Sequence, residues 1–144
     1  MNFKHDGLHD ALTQLAAPPY FYESLRREIA IANRGGADLT AIRLILESDS
    51  PIYDATIISF ADLITNSFRF EDAKARLGIV EFGILIYGGE DLASQLCQRL
   101  VARWAIEGTP KTVFSYAITK YIEGEEAIAF INRLDDQILI RRDF

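Results

Sequence analysis

The sequence predicts an α/β or α+β domain in which helices layer a sheet, and three observations carry that reading. Segments with apolar residues at helical spacing trade places regularly with short runs rich in branched apolar residues. The order is helix, strand, helix, hairpin, helix, strand, helix, which calls for helices packed on a shared sheet. Finally, 144 residues of which 49% are hydrophobic suit one domain, residues 1–144, with a real core.

Each element has its own signal. Leu8 to Leu15 is expected as a short helix. Pro18-Pro19 can open a second, since proline lacks the N–H that a first helical turn leaves unpaired, and Phe21, Leu25, Ile29 and Ala32 then share one face. Gly35-Gly36 ends it. Leu39 to Glu47 is a strand rich in branched apolar residues, expected at the sheet's centre. Pro51 sits near the start of a helix to about Thr65, buried through Ile57, Phe60, Ala61 and Ile64. A hairpin follows, one strand from about Ala73 and the other through Phe82 to Tyr87, on either side of Leu77-Gly78-Ile79-Val80. Gly88-Gly89 stops it, and Asp91 to Ala105 returns to helical spacing with Leu92, Leu96, Leu100 and Trp104 aligned. Thr112 to Thr119 is a strand, and Glu125 to about Asp136 a helix after a break at Gly124. Ile138-Leu139-Ile140 either closes the sheet or extends that helix.

Composition excludes several functions. A formal net charge of −6 gives no long-range attraction to nucleic acid or to an anionic membrane. Cys97 is the only cysteine and lies in an apolar helical pattern, so a buried structural thiol is expected, with no disulfide or thiolate metal site. No apolar run approaches the roughly 20 residues of a membrane span, which suggests a cytoplasmic domain. His5 and His9 are expected to face solvent, as are Arg26-Arg27 and the hairpin residues Lys74 and Arg76. Tyr20-Phe21-Tyr22 divides into core and rim.

Five sequence stretches together resemble a known family. Asp10-Ala11-Leu12-Thr13-Gln14-Leu15 is similar to an opening Asp-x-Leu-Thr-Gly-Leu, and Phe21 and Leu25 follow at the usual spacing. Arg76-Leu77-Gly78-Ile79-Val80-Glu81-Phe82 occupies a signature hairpin, Ser115-Tyr116-Ala117-Ile118 a Ser-Ile-Gly strand, and Leu134-Asp135 a late Ala-Asp. In order and spacing the chain resembles a degenerate GGDEF domain of the diguanylate cyclase family. The resemblance implies a nucleotide-cyclase-like, largely antiparallel central sheet surrounded by helices.

The departures shape the functional expectation. Such enzymes join two GTP molecules with Mg²⁺, which takes oxygen ligands. The resemblance puts Ile45 and Val80 where the family has metal-binding carboxylates, and Ile79 where its second glycine lets the backbone approach the nucleotide. Glu47, two residues beyond Ile45 on the same strand face, approaches the metal position only with a register slip. The segment after the first strand is shorter than in the family by roughly two helical turns, and the Phe-Lys and Asn-Asp motifs vanish with it. Asp54, Gly78 and Glu81 are left as a vestigial nucleotide site, and Arg142 matches a late phosphate-region lysine.

Arg69-x-x-Asp72, in contrast, has the position relative to Gly78 of the family's inhibitory Arg-x-x-Asp, which binds cyclic di-GMP. A guanidinium can donate to O6 and N7 of guanine or to phosphate, while a carboxylate accepts from N1–H and N2–H. Arg99 and Arg103 are candidates for the second arginine of such sites. The favoured expectation is a non-catalytic cyclic di-GMP receptor domain, without cofactor or Mg²⁺, that signals to a protein partner or attached domain in processes such as biofilm or exopolysaccharide formation. The alternatives are a ligand-free interaction or homodimerisation module, and a residual cyclase or GTP-responsive regulator using Asp54, Glu81 and Glu47.

Overall fold

The computed structural model describes residues 3–137 and 139–141. In chain order its elements are α1 (Pro18–Gly35), β1 (Leu39–Ser48), α2 (Asp54–Ser67), β2 (Ala73–Arg76), β3 (Glu81–Tyr87), α3 (Glu90–Glu107), β4 (Thr112–Lys120), α4 (Ala127–Asp136) and β5 (Ile140–Arg141). The strands form one sheet in the order β2-β3-β1-β4-β5, with every pair antiparallel. β1 is central, as its apolar run requires, and strand alternation divides its side chains between two cores. Ile42, Leu44 and Leu46 enter the core under α2 and α3, where Phe60 packs its ring on Phe82, Phe114 and Trp104. Leu39 and Ala41 enter the opposite core with Phe21, Leu25 and Ile29 of α1 and Phe130 and Leu134 of α4.

The predicted helix termini have physical causes in the structure. Proline occupies the first turn of α1, and Gly36 at φ 66° closes its end by donating its N–H to Ala32 O. The stripe Ile57, Phe60, Ala61 and Ile64 of α2 is buried. In α3 the buried stripe is Ala93, Cys97, Leu100, Val101 and Trp104, whereas Leu92 and Leu96 are only partly covered. Burial pushes the Cys97 thiol up to about 12.

Three expectations need correction. The segment Leu8 to Leu15 is a strap of turns and isolated bridges, not a helix. Its short polar side chains take the backbone donors: Asp6 Oδ1 accepts from Leu8 N and His9 N, and Asp10 Oδ2 accepts from Thr13 N. Gln14, where the resemblance has glycine, adopts φ 64°. Second, Arg76 is no exposed hairpin residue but is fully buried, its Nη1 donating to both Asp10 oxygens at 3.1 and 3.2 Å. Its Nε and Nη2 donate to Ile79 O, and the Phe3 ring lies 5.0 Å away. Third, Lys74 is half-buried with its ammonium engaged. The open choice at the C-terminus resolves for the sheet, since Ile140 and Arg141 pair with β4; Ile138 and Arg142 lie outside the described residues.

Asp10→Ala would strand the Arg76 guanidinium in the interior, so urea unfolding should give a loss of about 3–5 kcal/mol, while replacing both partners by apolar residues should cost much less. Cys97 should resist a thiol reagent at about pH 8 in the folded protein and label fully in denaturant.

Candidate functional site

The turn Arg69–Asp72 is positioned by what flanks it. α2 ends at Ser67, and Phe68 continues in extended conformation with its ring buried in the core. β2 begins at Ala73, paired with Leu85 of β3. Between these fixed ends the chain closes on itself: Asp72 N donates to Arg69 O at 3.1 Å, and Arg69 N donates to Asp72 Oδ2 at 2.9 Å. Lys74 Nζ donates to the carbonyls of Arg69 at 2.6 Å and Asp72 at 2.9 Å. Phe70, between the two recognition candidates, is 100% exposed.

This turn forms one wall of a cleft of about 410 Å³, which also takes in Tyr87 at the end of β3 and Leu92, Gln95, Leu96 and Arg99 of α3. The structure therefore brings Arg69, Asp72 and Arg99 together. It does not bring Arg103, whose Nε is paired with Glu107 at 3.0 Å and whose Nη1 donates to Ser67. Among the described residues neither Arg69 nor Arg99 has an ion-pair partner. Burial raises the Asp72 carboxyl above its ordinary 3.8, against the lowering effects of the Arg69 N–H, Lys74 and Arg69.

The hairpin residues are differently engaged. Glu81 is held by Arg43, whose Nη2 and Nε donate to Oε1 at 3.0 and 3.2 Å; Arg43 Nη1 donates to Asp135 O at 3.4 Å. Ile45 stands between Glu81 and Ser115 in the strand register, and Glu47 Oε1 accepts from Ser115 Oγ at 2.8 Å. Gly78 N donates to Glu81 O, Ile79 is 44% exposed, and the Val80 side chain packs against the core. Asp54 is exposed in the first turn of α2, where a carboxylate is favoured. His5 and His9 are exposed, as expected, and among the described residues no group of three or more His, Cys, Asp or Glu could hold a metal ion. Exposed Arg26 lies 3.8 Å from Glu23. A larger hollow, about 730 Å³, opens at the other end of α3 beside Glu47, Asp49 and Lys111.

Sequence reasoning missed Arg43, Lys74, Tyr87 and Gln95. Arg43 did leave a signal: the one cation in a mostly apolar central strand must meet an acid or reach water. Tyr87 and Gln95 carried none, because only the packing of α3 beside the turn brings them to the cleft.

No protein-family model matches the chain. It is 30% identical over 104 residues to the diguanylate cyclase DgcS of Shewanella oneidensis, an alignment covering 67% of this chain and 35% of that protein. The chain thus spans about a third of this relative's length. In structure it is similar to the coiled coil and GGDEF domain of DgcB from Caulobacter crescentus in complex with c-di-GMP, with a TM-score of 0.82, 20% identity, and coverage of 90% of this chain and 78% of that one. It is also similar to the diguanylate cyclase SiaD of Pseudomonas aeruginosa, solved with its activator SiaC, at a TM-score of 0.79, 22% identity, and coverage of 90% and 55%. The FimX GGDEF domain of Pseudomonas aeruginosa gives a TM-score of 0.74 at 20% identity, with 88% of each chain covered. The chain has the GGDEF domain fold, as the sequence motifs led one to expect.

The raised Asp72 carboxyl has a definite consequence for stability. Its contribution is fully present below the unfolded value near 3.8 and declines as pH rises through the higher folded value. Carbon-detected NMR titration should place Asp72 above 3.8, and Asp72→Asn should remove that part of the pH dependence of unfolding.

Proposed function

We propose that the domain is a non-catalytic receptor for cyclic di-GMP, binding the dinucleotide at the Arg69–Asp72 turn and passing the bound state to a protein partner or attached domain. The observation that carries this reading is the convergence of Arg69, Asp72 and Arg99 on one cleft, with neither guanidinium in an ion pair among the described residues. Arg69 can donate to O6 and N7 of a guanine while Asp72 accepts from N1–H and N2–H, and Arg99, lining the same cleft, can donate to phosphate. Asp72 Oδ2 is engaged by the turn, and in this reading Oδ1 is the oxygen that meets the base. DgcB, of the same fold, was solved with c-di-GMP bound.

The absence of catalysis in this reading rests on the hairpin side chains. A hard divalent cation needs several oxygen ligands. Ile45 and Val80 offer hydrocarbon, Glu81 is neutralised by Arg43, and among the described residues no three ligating side chains gather with Glu47, so these residues do not fit Mg²⁺. A second reading, a ligand-free docking module, is favoured by a different observation: Ile79 at the hairpin tip is exposed.

Calorimetric titration with cyclic di-GMP should give saturable binding that Arg69→Ala weakens on the order of a hundredfold, as loss of charge-assisted hydrogen bonds implies, with little change in Arg103→Ala. Absence of binding by the intact domain would sink the reading, and product formed from GTP and Mg²⁺ would refute its non-catalytic half.

A further inference from the structure

We infer that Lys74 is a positioning residue of the dinucleotide site, its ammonium tying together the carbonyls of Arg69 and Asp72 so that the turn presents both recognition side chains. The inference rests on the reading of that turn as a cyclic di-GMP site. Lys74 Nζ lies 2.6 Å from Arg69 O and 2.9 Å from Asp72 O, within direct donation distance of both ends of the recognition motif.

The side chain starts from a fixed point. Lys74 pairs with Ile84 of β3, and on its other side its carbonyl accepts from Ala16 N at 3.0 Å, while Arg76 N donates to Ala16 O at 3.0 Å. The β2 backbone at Lys74 is therefore clamped between the hairpin and the N-terminal strap. From there the ammonium reaches back over the turn. Arg69 O then accepts two donors, Asp72 N and Lys74 Nζ, which fills both lone pairs of that carbonyl.

Without this tether the turn would depend on two bonds, one of which uses the carboxylate needed for the base. A ligand drawing on Asp72 would then compete with the bond that shapes the turn. With the ammonium in place, Oδ2 can hold Arg69 N and Oδ1 can face the ligand while the backbone geometry persists. The electrostatics act in the same direction. The charged groups around Asp72 are Arg69 and Glu71 in the turn, Lys74 on β2 and Arg99 on α3 across the cleft. Burial and Glu71 raise its carboxyl, while Lys74 and Arg69 lower it. Lys74 is thus one of the two cations, with Arg69, that favour Asp72 as an ionised acceptor. Its own ammonium is pushed down by burial, as befits a group held in the turn and not in bulk water.

The test compares Lys74→Met and Lys74→Arg with the parent domain by calorimetry with cyclic di-GMP across pH, and by NMR titration of the Asp72 carboxyl in the free domain. Lys74→Met should bind about tenfold more weakly, move the Asp72 titration upward, and shift the acid loss of affinity to higher pH, with only a small fall in the thermal unfolding midpoint. Lys74→Arg should recover much of all three effects. Should Lys74→Met fail to fold, Lys74→Gln takes its place in the same titration. An Asp72 titration that stays where the parent has it would overturn the role of Lys74. Failure of the parent to bind cyclic di-GMP would instead overturn the receptor reading, and the free-domain titration would still decide the part played by Lys74.

Discussion

The buried pair between Asp10 and Arg76 is the constraint on which the rest of the structure depends. It joins residues 66 apart in sequence and removes both charges from water. Ionised groups so placed are tolerable only when their hydrogen-bonding capacity is met. Here Asp10 also accepts from Thr13 N and Oγ1, and Arg76 donates through Nε and Nη2 to Ile79 O. One guanidinium therefore fixes the N-terminal strap, the end of β2 and the hairpin loop. β2 is a four-residue edge strand, too short to hold its register by pairing alone. The strap completes it through Ala16, and the Arg69–Asp72 turn takes its geometry from the strand so fixed.

The two sides of this hairpin differ in what their polar groups are doing. Toward β1, Glu81 and Arg43 satisfy each other, Glu47 accepts from Ser115, and among the described residues no group of three or more acids or other ligating side chains gathers to hold a cation. Toward α3, Arg69 and Arg99 face a cleft without ion-pair partners among the described residues. Asp72 holds the turn through Oδ2, which accepts from Arg69 N. Internal pairing on one side and free donors on the other are the physical basis for proposing recognition without turnover.

Periodicity made most of the fold legible. Proline and glycine punctuation placed α1, branched apolar residues placed β1 at the centre, and the break around Gly78 placed the hairpin. The strap was illegible because Asp6, Asp10 and Thr13 compete for backbone donors, and that contest is invisible to apolar spacing. Arg76 was misread for a related reason. Its partner lies 66 residues away, and no local rule pairs an edge-strand arginine with a distant aspartate. At the site, the spacing of Arg69 and Asp72 was readable through family resemblance, whereas the choice between Arg99 and Arg103 required α3 in place. One helical turn along α3 separates an arginine lining the cleft from one bound to Glu107.

The most direct test of the central claim is an amide and arginine side-chain NMR titration of the domain with cyclic di-GMP. The account predicts shift changes concentrated on residues 69–74, Tyr87 and Arg99, with the hairpin residues Gly78 to Glu81 unmoved. Changes centred on Gly78 to Glu81 and Asp54, with the Arg69–Asp72 turn silent, would contradict it.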